Sequence, residues 1–418
     1  MPLCTRLTVT SDRSLAAQSW HWRFSTLSHR FFDDGPCTKT IGQEIPISIM
    51  RGNSSDWKRR HLAAALLSLA FAFLIRPPAA RAVSCTSQSD LTDSDRASVI
   101  TAARHLATLI QSGNATAVRT ETAPSVASQF GGIAGEIGTV APLTTGAALT
   151  IQNAYTLDAS DLTAPEDQTQ FFCGGQNSPE VVFSIPQIPP GRYAIAIMHA
   201  TGVPQPQQIT LIMALITPNP AAPVSPPSAA GSAKTPTTPA PLPAATPEPP
   251  AWKLAGLFVR PLTSAGHDGL WYWNKARAYA GLKHNWNAYF YYQTAELLLV
   301  PVDFISTPNL DKLIKEQTTI APPGLPGEKP MALSVDGHSY SITDLHTEGS
   351  LGGLDLVIAY QAPDNSDPVA TRTRNLEIMH AIVTQHPELR EAFHGLWVYS
   401  NAAAQRPFAN EMPMTQIP

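Results

Sequence analysis

The densest group of chemically distinctive residues is aromatic. Nine aromatic side chains fall within one short segment: Trp271, Tyr272, Trp273, Tyr279, Trp286, Tyr289, Phe290, Tyr291 and Tyr292. A single helix face cannot bury all nine, so some of them must contact a neighbouring domain, a peptide or a sugar. This segment is therefore the first candidate for a binding surface.

Motifs that carry catalysis are absent from the sequence. It has no Gly-x-Ser-x-Gly, no P-loop, no Rossmann glycine fingerprint and no His-Glu-x-x-His. His338 and His346 are eight residues apart in strand-like sequence, which would place them on one face together with Asp344. A metal could use such a set, but lone histidines on strands are more often surface or hydrogen-bonded residues. We predict no catalytic residue, no cofactor and no metal site, and the expected protein is non-enzymatic.

The N-terminal region has the anatomy of an export signal. Lys58, Arg59 and Arg60 precede an apolar run at residues 62–75, and Ala80-Arg81-Ala82 supplies the small residues of a cleavage site. We predict a signal peptide over residues 50–82 that is cleaved after Ala82, and a periplasmic or secreted mature protein. Starting at Met50 gives an ordinary signal, so residues 1–49 are expected to be untranslated or disordered. The alternative is an uncleaved anchor in the inner membrane through residues 62–75.

The mature chain is acidic and keeps two cysteines. Without residues 1–82 it has 17 basic and 27 acidic side chains, a net charge of about −10 that repels a phosphate backbone. Nucleic acid is therefore not an expected partner, and a membrane is expected only through the N-terminal segment. Cys85 and Cys173 remain in a compartment where disulfides persist, so we predict a bridge between them.

Residues 218–250 form a linker of unusual composition. They contain 12 prolines among Ala, Ser and Thr, which predicts disorder. The apolar stretches at 208–216 and 252–259 on either side both have the character of strands. Because loop-closure entropy grows only slowly with length, the linker is expected to interrupt one sheet rather than separate two domains.

Helices precede strands in the region before the linker. Val99, Ala103, Leu106 and Ile110 recur at helical spacing, and alternating apolar residues then indicate antiparallel strands. Together with Trp252-Lys253-Leu254-Ala255-Gly256, this order resembles the NTF2-like (cystatin-like) α+β superfamily over residues 93–260. The resemblance implies an NTF2-like domain at 83–217 and 251–262, with a sheet wrapped around an N-terminal helix. That superfamily includes enzymes and binding modules, so an enzyme using the sheet cavity is an alternative, with candidate polar groups Tyr155, Arg192, Tyr193 and His199.

A helical hairpin follows within residues 263–320. Asp268 is expected to cap a helix to Ala280, and Asn285 to start a second that ends near Val300. The spacing at residues 268–301 resembles one tetratricopeptide repeat, carried by Tyr272, Ala276, Tyr279, Ala288, Tyr292 and Ala295. The resemblance places Tyr272, Tyr279 and Tyr292 in the repeat interior, which leaves Trp271, Trp286 and Tyr289 as the candidate binding residues. A single repeat cannot bury its own face, so the hairpin must pack on a neighbour.

The last segment, residues 331–418, is predicted to be a small α+β unit. Strands are expected near 331–335, 338–344 and 354–360, followed by a helix capped by Asp367 and a returning strand at 395–399. The fold class is thus α+β throughout, and the whole chain resembles exported bacterial proteins that are uncharacterised. The expected function is binding or scaffolding in the cell envelope, with a protein or peptide partner.

Overall fold

The computed structural model describes residues 83–175, 178–217, 249–335, 337–350 and 353–418. The signal peptide at 50–82, its cleavage site at Ala82, the extension 1–49 and nearly all of the 218–250 linker lie outside these residues. Residues Val83–Pro418 form one compact unit. Within the described ranges, no helix combines the length and apolar character needed to cross a membrane.

The N-terminal half is built on a five-stranded antiparallel sheet. Its strands and those of a smaller sheet are, in chain order, β1 Ser84–Ser87, β2 Ala148–Asp158, β3 Thr169–Gly175, β4 Ser178–Ile185, β5 Arg192–Thr201, β6 Gln207–Ile216 and β7 Ala251–Pro261. The large sheet has the order β1-β2-β5-β6-β7, and β3 and β4 pair in the small sheet. The α+β class predicted from the sequence is confirmed.

Four helices cover one face of the large sheet. They are α1 Asp93–Gln111, α2 Ala115–Thr120, α3 Pro124–Ala127 and α4 Gly131–Thr144. The Thr92 hydroxyl caps α1 by accepting a 3.1 Å hydrogen bond from the Asp95 amide. The apolar residues expected at helical spacing, from Val99 to Ile110, are buried against alternate residues of β5 and β6 such as Met198 and Leu211. The sequence prediction of this helix is therefore confirmed.

The small sheet packs on the opposite face of the large one. Phe171 and Phe183 from the small sheet meet Tyr155, Leu157 and Ile195 from the large sheet. The predicted bridge between Cys85 on β1 and Cys173 on β3 is present, with Cα atoms 4.9 Å apart. The disulfide therefore ties the edge strand of one sheet to the other sheet.

A β-bulge in β2 changes the expected side-chain pattern. The alternation of Leu149, Ile151, Tyr155 and Leu157 predicts one common face, but the pairing with β5 shifts between Ile151 and Asn153. Leu149 and Ile151 pack beneath the helices, whereas Tyr155 and Leu157 face the small sheet. The extra residue of the bulge inverts the alternation, so the two ends of β2 contribute to the cores on opposite faces of the sheet.

The strands on either side of the linker are neighbours. β6 and β7 pair antiparallel along their length, from Gln207 opposite Pro261 to Ile216 opposite Ala251. The predicted pairing across the linker is confirmed. The linker therefore leaves and re-enters the large sheet at adjacent positions.

The second half of the chain contains the helical hairpin and a second five-stranded sheet. Its elements are β8 Thr263–Ser264, β9 His267–Asp268, α5 Gly269–Gly281, α6 Asn285–Leu299, β10 Ile305–Ser306, α7 Pro308–Ile320, β11 Met331–Val335, β12 His338–Ser350, β13 Gly353–Ala362, α8 Pro368–Gln385, α9 Leu389–Ala392, β14 Gly395–Ala402 and β15 Phe408–Pro413. Strands β11 to β15 lie in sequence order, and β13 and β14 are parallel because α8 crosses between them. Asp367 caps α8 as predicted.

One face of this second sheet carries the hairpin and α8 in a common apolar core. Tyr272, Phe290 and Tyr292 from the hairpin share it with Leu356 and Ile358 from β13. The aromatic hairpin thus packs on the neighbouring C-terminal sheet. Helix α7 is held against the hairpin by Glu316, which accepts hydrogen bonds from the Trp273 indole at 2.8 Å and the Tyr292 hydroxyl at 3.2 Å.

The chain between the hairpin and α7 returns to the N-terminal half. Strand β10 adds to the small sheet, with Ile305 opposite Phe183. The Phe304 ring lies 6.4 Å from Phe183 and 5.7 Å from Phe258 between ring centroids. A segment of the second half therefore completes the small sheet of the N-terminal half.

Candidate functional site

A cavity of about 300 Å³ lies where the N-terminus of α5 meets the C-terminal sheet. We name it the hairpin cavity. The polar and aromatic side chains that line it are His267, Trp271, Tyr272, Tyr291, Glu391, Phe393 and His394. Its volume is at the lower end of the range of small-molecule sites, and its walls combine apolar rings with a few polar groups, as such sites do.

A tight turn and a helix cap position Trp271 at this cavity. Ala265 and Gly266 both have positive φ, 47° and 80°, which is the backbone of the two-residue turn that joins β8 to β9. Asp268 then caps α5 by accepting a 2.8 Å hydrogen bond from the Trp271 amide. His267 stacks on the indole with centroids 3.6 Å apart and rings 4° from parallel. The indole is therefore fixed in place, although it remains partly exposed.

A buried carboxylate holds His394. Asp355 on β13 is fully buried, and its Oδ1 lies 3.2 Å from Nδ1 of His394. Its Oδ2 accepts a 3.1 Å hydrogen bond from the Trp397 indole. Gly353 leaves room for the imidazole, since a Cβ at that position would lie 2.3 Å from the His394 Cβ. The carboxylate satisfies the requirement that a buried charge be hydrogen-bonded, and it orients the ring.

The two tyrosines of the cavity use their hydroxyl protons inside the protein. Tyr272 donates to the Ser264 carbonyl at 2.9 Å, and Tyr291 donates to the Ala392 carbonyl at 2.7 Å. Burial raises the pKa of Tyr272 to about 12 and also raises the pKa of Tyr291. Both side chains therefore stay neutral near pH 7 and serve as aromatic walls.

Only one of the three candidate binding residues lies at this cavity. Trp271 lines it. Trp286 is 8% exposed and stacks on His386 with centroids 3.9 Å apart. Tyr289 packs edge-to-face on Phe290, and burial raises its pKa. The structure thus places Trp286 and Tyr289 in the packing of the hairpin and does not bring them together with Trp271.

The histidines of β12 do not share a face. The pairing of β12 with β13 shifts between Ile342 and Asp344, and this bulge adds one residue between the two histidines. His338 therefore lies on the same face as the buried Tyr340, whereas His346 lies on the opposite face and contacts Asp344 Oδ2 at 2.6 Å. Within the described ranges, no group of three or more His, Cys, Asp or Glu side chains could hold a metal ion.

The polar groups proposed for a sheet cavity are dispersed. Tyr155 lines an open polar cavity of about 490 Å³ beside β1. Arg192 lies 3.8 Å from Asp158, and the Tyr193 hydroxyl donates to the Pro189 carbonyl at 2.8 Å. His199 lies 3.4 Å from Gln208, and burial lowers its pKa. Each of these residues contacts a different neighbour, so the four do not converge on one site.

The sequence prediction missed Asp355. Its signal is a carboxylate inside the apolar run Leu354-Asp355-Leu356-Val357-Ile358. A charged residue is almost never fully buried without a partner, so a carboxylate in an apolar run indicates a paired histidine side chain, a cation or a ligand.

The chain was also compared with known proteins. It matches no family model, no curated protein and no solved structure.

Proposed function

We propose that this chain is an exported cell-envelope protein that binds a small ligand, or the side chain of a peptide, in the hairpin cavity. The observation that carries the proposal is the convergence of Trp271, Tyr272 and Tyr291 with an imidazole held by the buried Asp355. Aromatic walls with a few oriented polar groups are the usual composition of a binding site.

Export is supported by two independent features. The basic, apolar and small-residue segments before Val83 occur in the order of a signal peptide. The Cys85–Cys173 bridge suits an oxidising compartment. Intact-mass analysis of the exported protein tests this proposal, which requires a chain that begins at Val83. A membrane-bound chain that still carries residues 62–75 would favour the anchored alternative instead.

The two resemblances are part of the same proposal. Helices on one face of an antiparallel sheet support an NTF2-like N-terminal half, and two antiparallel helices with buried Tyr272, Ala276 and Ala295 support a tetratricopeptide-like hairpin. In this reading the hairpin provides one wall of the binding site rather than a unit of a repeat array. Fold resemblance alone does not assign a ligand.

Binding is favoured over covalent catalysis by the composition of the cavity. An Asp–His pair can serve as a general base, but the described residues that line the hairpin cavity include no Ser, Thr or Cys to act as a nucleophile. A fixed imidazole without a nucleophile is better suited to recognising a ligand than to acyl transfer.

A small-molecule thermal-shift screen with matched variants tests the site. Compounds that raise the melting temperature of the wild-type protein should lose this effect in Trp271→Ala, because the indole wall of the cavity is removed. Leu270→Ala is the control, since Leu270 is 57% exposed on the same helix and does not line the cavity. If the active compounds stabilise all three proteins equally, the hairpin cavity is not the binding site.

A further inference from the structure

The hydrogen-bonding character of the hairpin cavity defines the kind of ligand it accepts. The hydroxyl protons of Tyr272 and Tyr291 are donated to backbone carbonyls at 2.9 Å and 2.7 Å. What these side chains offer a ligand is therefore an aromatic ring and an oxygen lone pair, and neither has a proton left to donate.

His394 also presents an acceptor. Oδ1 of Asp355 lies 3.2 Å from Nδ1 of His394, and Oδ2 accepts a hydrogen bond from the Trp397 indole, so this arrangement suits the tautomer in which Nδ1 donates to the carboxylate. In a neutral imidazole the other nitrogen, Nε2, then carries a lone pair. The ring lines the cavity with its side chain 43% exposed, and no described residue bonds to Nε2.

The charge of the lining has one sign. Glu391 contributes a carboxylate that is 62% exposed, with the His284 Nδ1 3.6 Å away. No Lys or Arg is among the described residues that line the cavity. Lys275 is close by, 5.7 Å from the centre of the Trp271 ring, but it lies outside the lining. The cavity thus offers acceptors, a carboxylate and aromatic rings, and its side-chain donors are the uncharged indole N–H of Trp271 and a ring N–H of His267.

We propose that the hairpin cavity binds a protonated organic amine with an aromatic or aliphatic body. The ammonium group would donate hydrogen bonds to Nε2 of His394 and to the Glu391 carboxylate, while the body of the ligand packs against Trp271. Aromatic rings add to the attraction because their faces carry partial negative charge, which favours a cation. This inference rests on the proposed function of the cavity and specifies the ligand class.

Three probes of similar size and different charge show whether the cavity prefers a cation, a neutral group or an anion. Binding of 2-phenylethylamine, 2-phenylethanol and phenylacetate is measured by calorimetry on the mature protein at pH 8, above the range in which imidazole ordinarily titrates. The amine should bind about tenfold or more tightly than the alcohol, because it makes charge-assisted hydrogen bonds that the alcohol cannot make. Phenylacetate should not bind.

Variants then assign the contacts. Glu391→Gln should weaken the amine about two- to fivefold, since the carboxylate is largely exposed, and leave the alcohol unchanged. His394→Phe should weaken it about tenfold or more by removing the acceptor. His380→Ala is the control, because His380 is an exposed histidine on α8 that does not line the cavity. Circular dichroism and melting curves verify that each variant is folded.

The outcomes distinguish a failure of the amine assignment from a failure of the proposed binding function. If phenylacetate binds as tightly as the amine, or if the amine keeps its affinity in folded His394→Phe and Glu391→Gln, the amine assignment is overturned and the cavity remains a binding site. If none of the three probes binds at millimolar concentration and the thermal-shift screen shows no dependence on Trp271, both the assignment and the proposed function fail.

Discussion

Removing the Cys85–Cys173 bridge should cost the protein a large part of its stability. The bridge closes a loop with a sequence separation of 88 residues. In the chain-entropy treatment a loop of this length restricts the unfolded state by about 4.5 kcal/mol at 25 °C. For a unit of this size, that corresponds to a decrease of about 6 °C in melting temperature if the unit unfolds cooperatively.

Two perturbations separate the entropy of the loop from local packing. Cys173 is buried, so Cys85→Ala with Cys173→Ala also removes two sulfur atoms from the contact between the sheets. Reduction of the wild-type protein breaks the same bond and leaves both sulfur atoms in place. Urea unfolding should therefore show a loss of about 3–5 kcal/mol on reduction and a further loss of about 1 kcal/mol in the double variant.

The measurement requires that both forms unfold in one transition with similar slopes against urea concentration. Mass analysis of peptides from the oxidised protein identifies the bond that is broken. A loss below about 1 kcal/mol on complete reduction would refute the reasoning, because it would mean that the unfolded chain gains little freedom when the bridge is opened. A single early transition confined to β1 would show that only the edge strand depends on the bridge.

Three further changes test other parts of the fold. Glu316→Gln should lower the free energy of unfolding by about 1–3 kcal/mol at pH 7. The hydrogen bond from Arg277 lowers the Glu316 pKa, so the stability that the Glu316 carboxylate contributes is present above the ordinary glutamate pKa and is lost as the pH falls through the folded-state pKa. Urea titrations should therefore show a smaller difference between variant and wild type in acid than at pH 7. Gly269→Ala should destabilise by about 1–3 kcal/mol in thermal melts, because its Cβ would lie 2.5 Å from the Leu299 side chain, whereas Gly281→Ala, with nothing within 4 Å of its Cβ, should be neutral or slightly stabilising. Replacing residues 217–250 by Asn-Gly should leave the free energy of unfolding unchanged or raise it by up to about 2 kcal/mol, since Ile216 lies opposite Ala251; loss of cooperative unfolding would count against an inserted loop.

Local patterns predicted the elements well where one element buries one face. The helix with Val99 and Ile110, the cap at Asp367 and the pairing across the linker follow from periodicity and capping chemistry. The bulges in β2 and β12 escaped prediction. The bulges near Asn153 and Asp344 each add one residue and exchange the faces of everything beyond them. No single residue type signals such an insertion, so the face assignments of Tyr155 and His346 required the structure.

The site was predictable only in part. The concentration of aromatic residues identified the hairpin, and Trp271 was among the residues selected from it. The partners of Trp271 at the cavity, such as His394, come from a segment more than one hundred residues later in the chain. The pairing of Asp355 with His394 and Trp397 depends on the parallel register of β13 and β14, which local sequence does not specify.

The placement of β10 bears on how the gene for such a protein can be divided. Residues 302–306 come after the helical hairpin, yet Ile305 completes the small sheet of the N-terminal half. A fragment that stops before this point would leave β4 with an open edge and expose Phe183, and a fragment that starts after β7 would carry β10 without its partner. A chimera joined near residue 262, where β7 ends, would therefore take β4 and its partner strand β10 from two different parent sequences. We therefore expect the two halves to fold only when they are expressed as one chain.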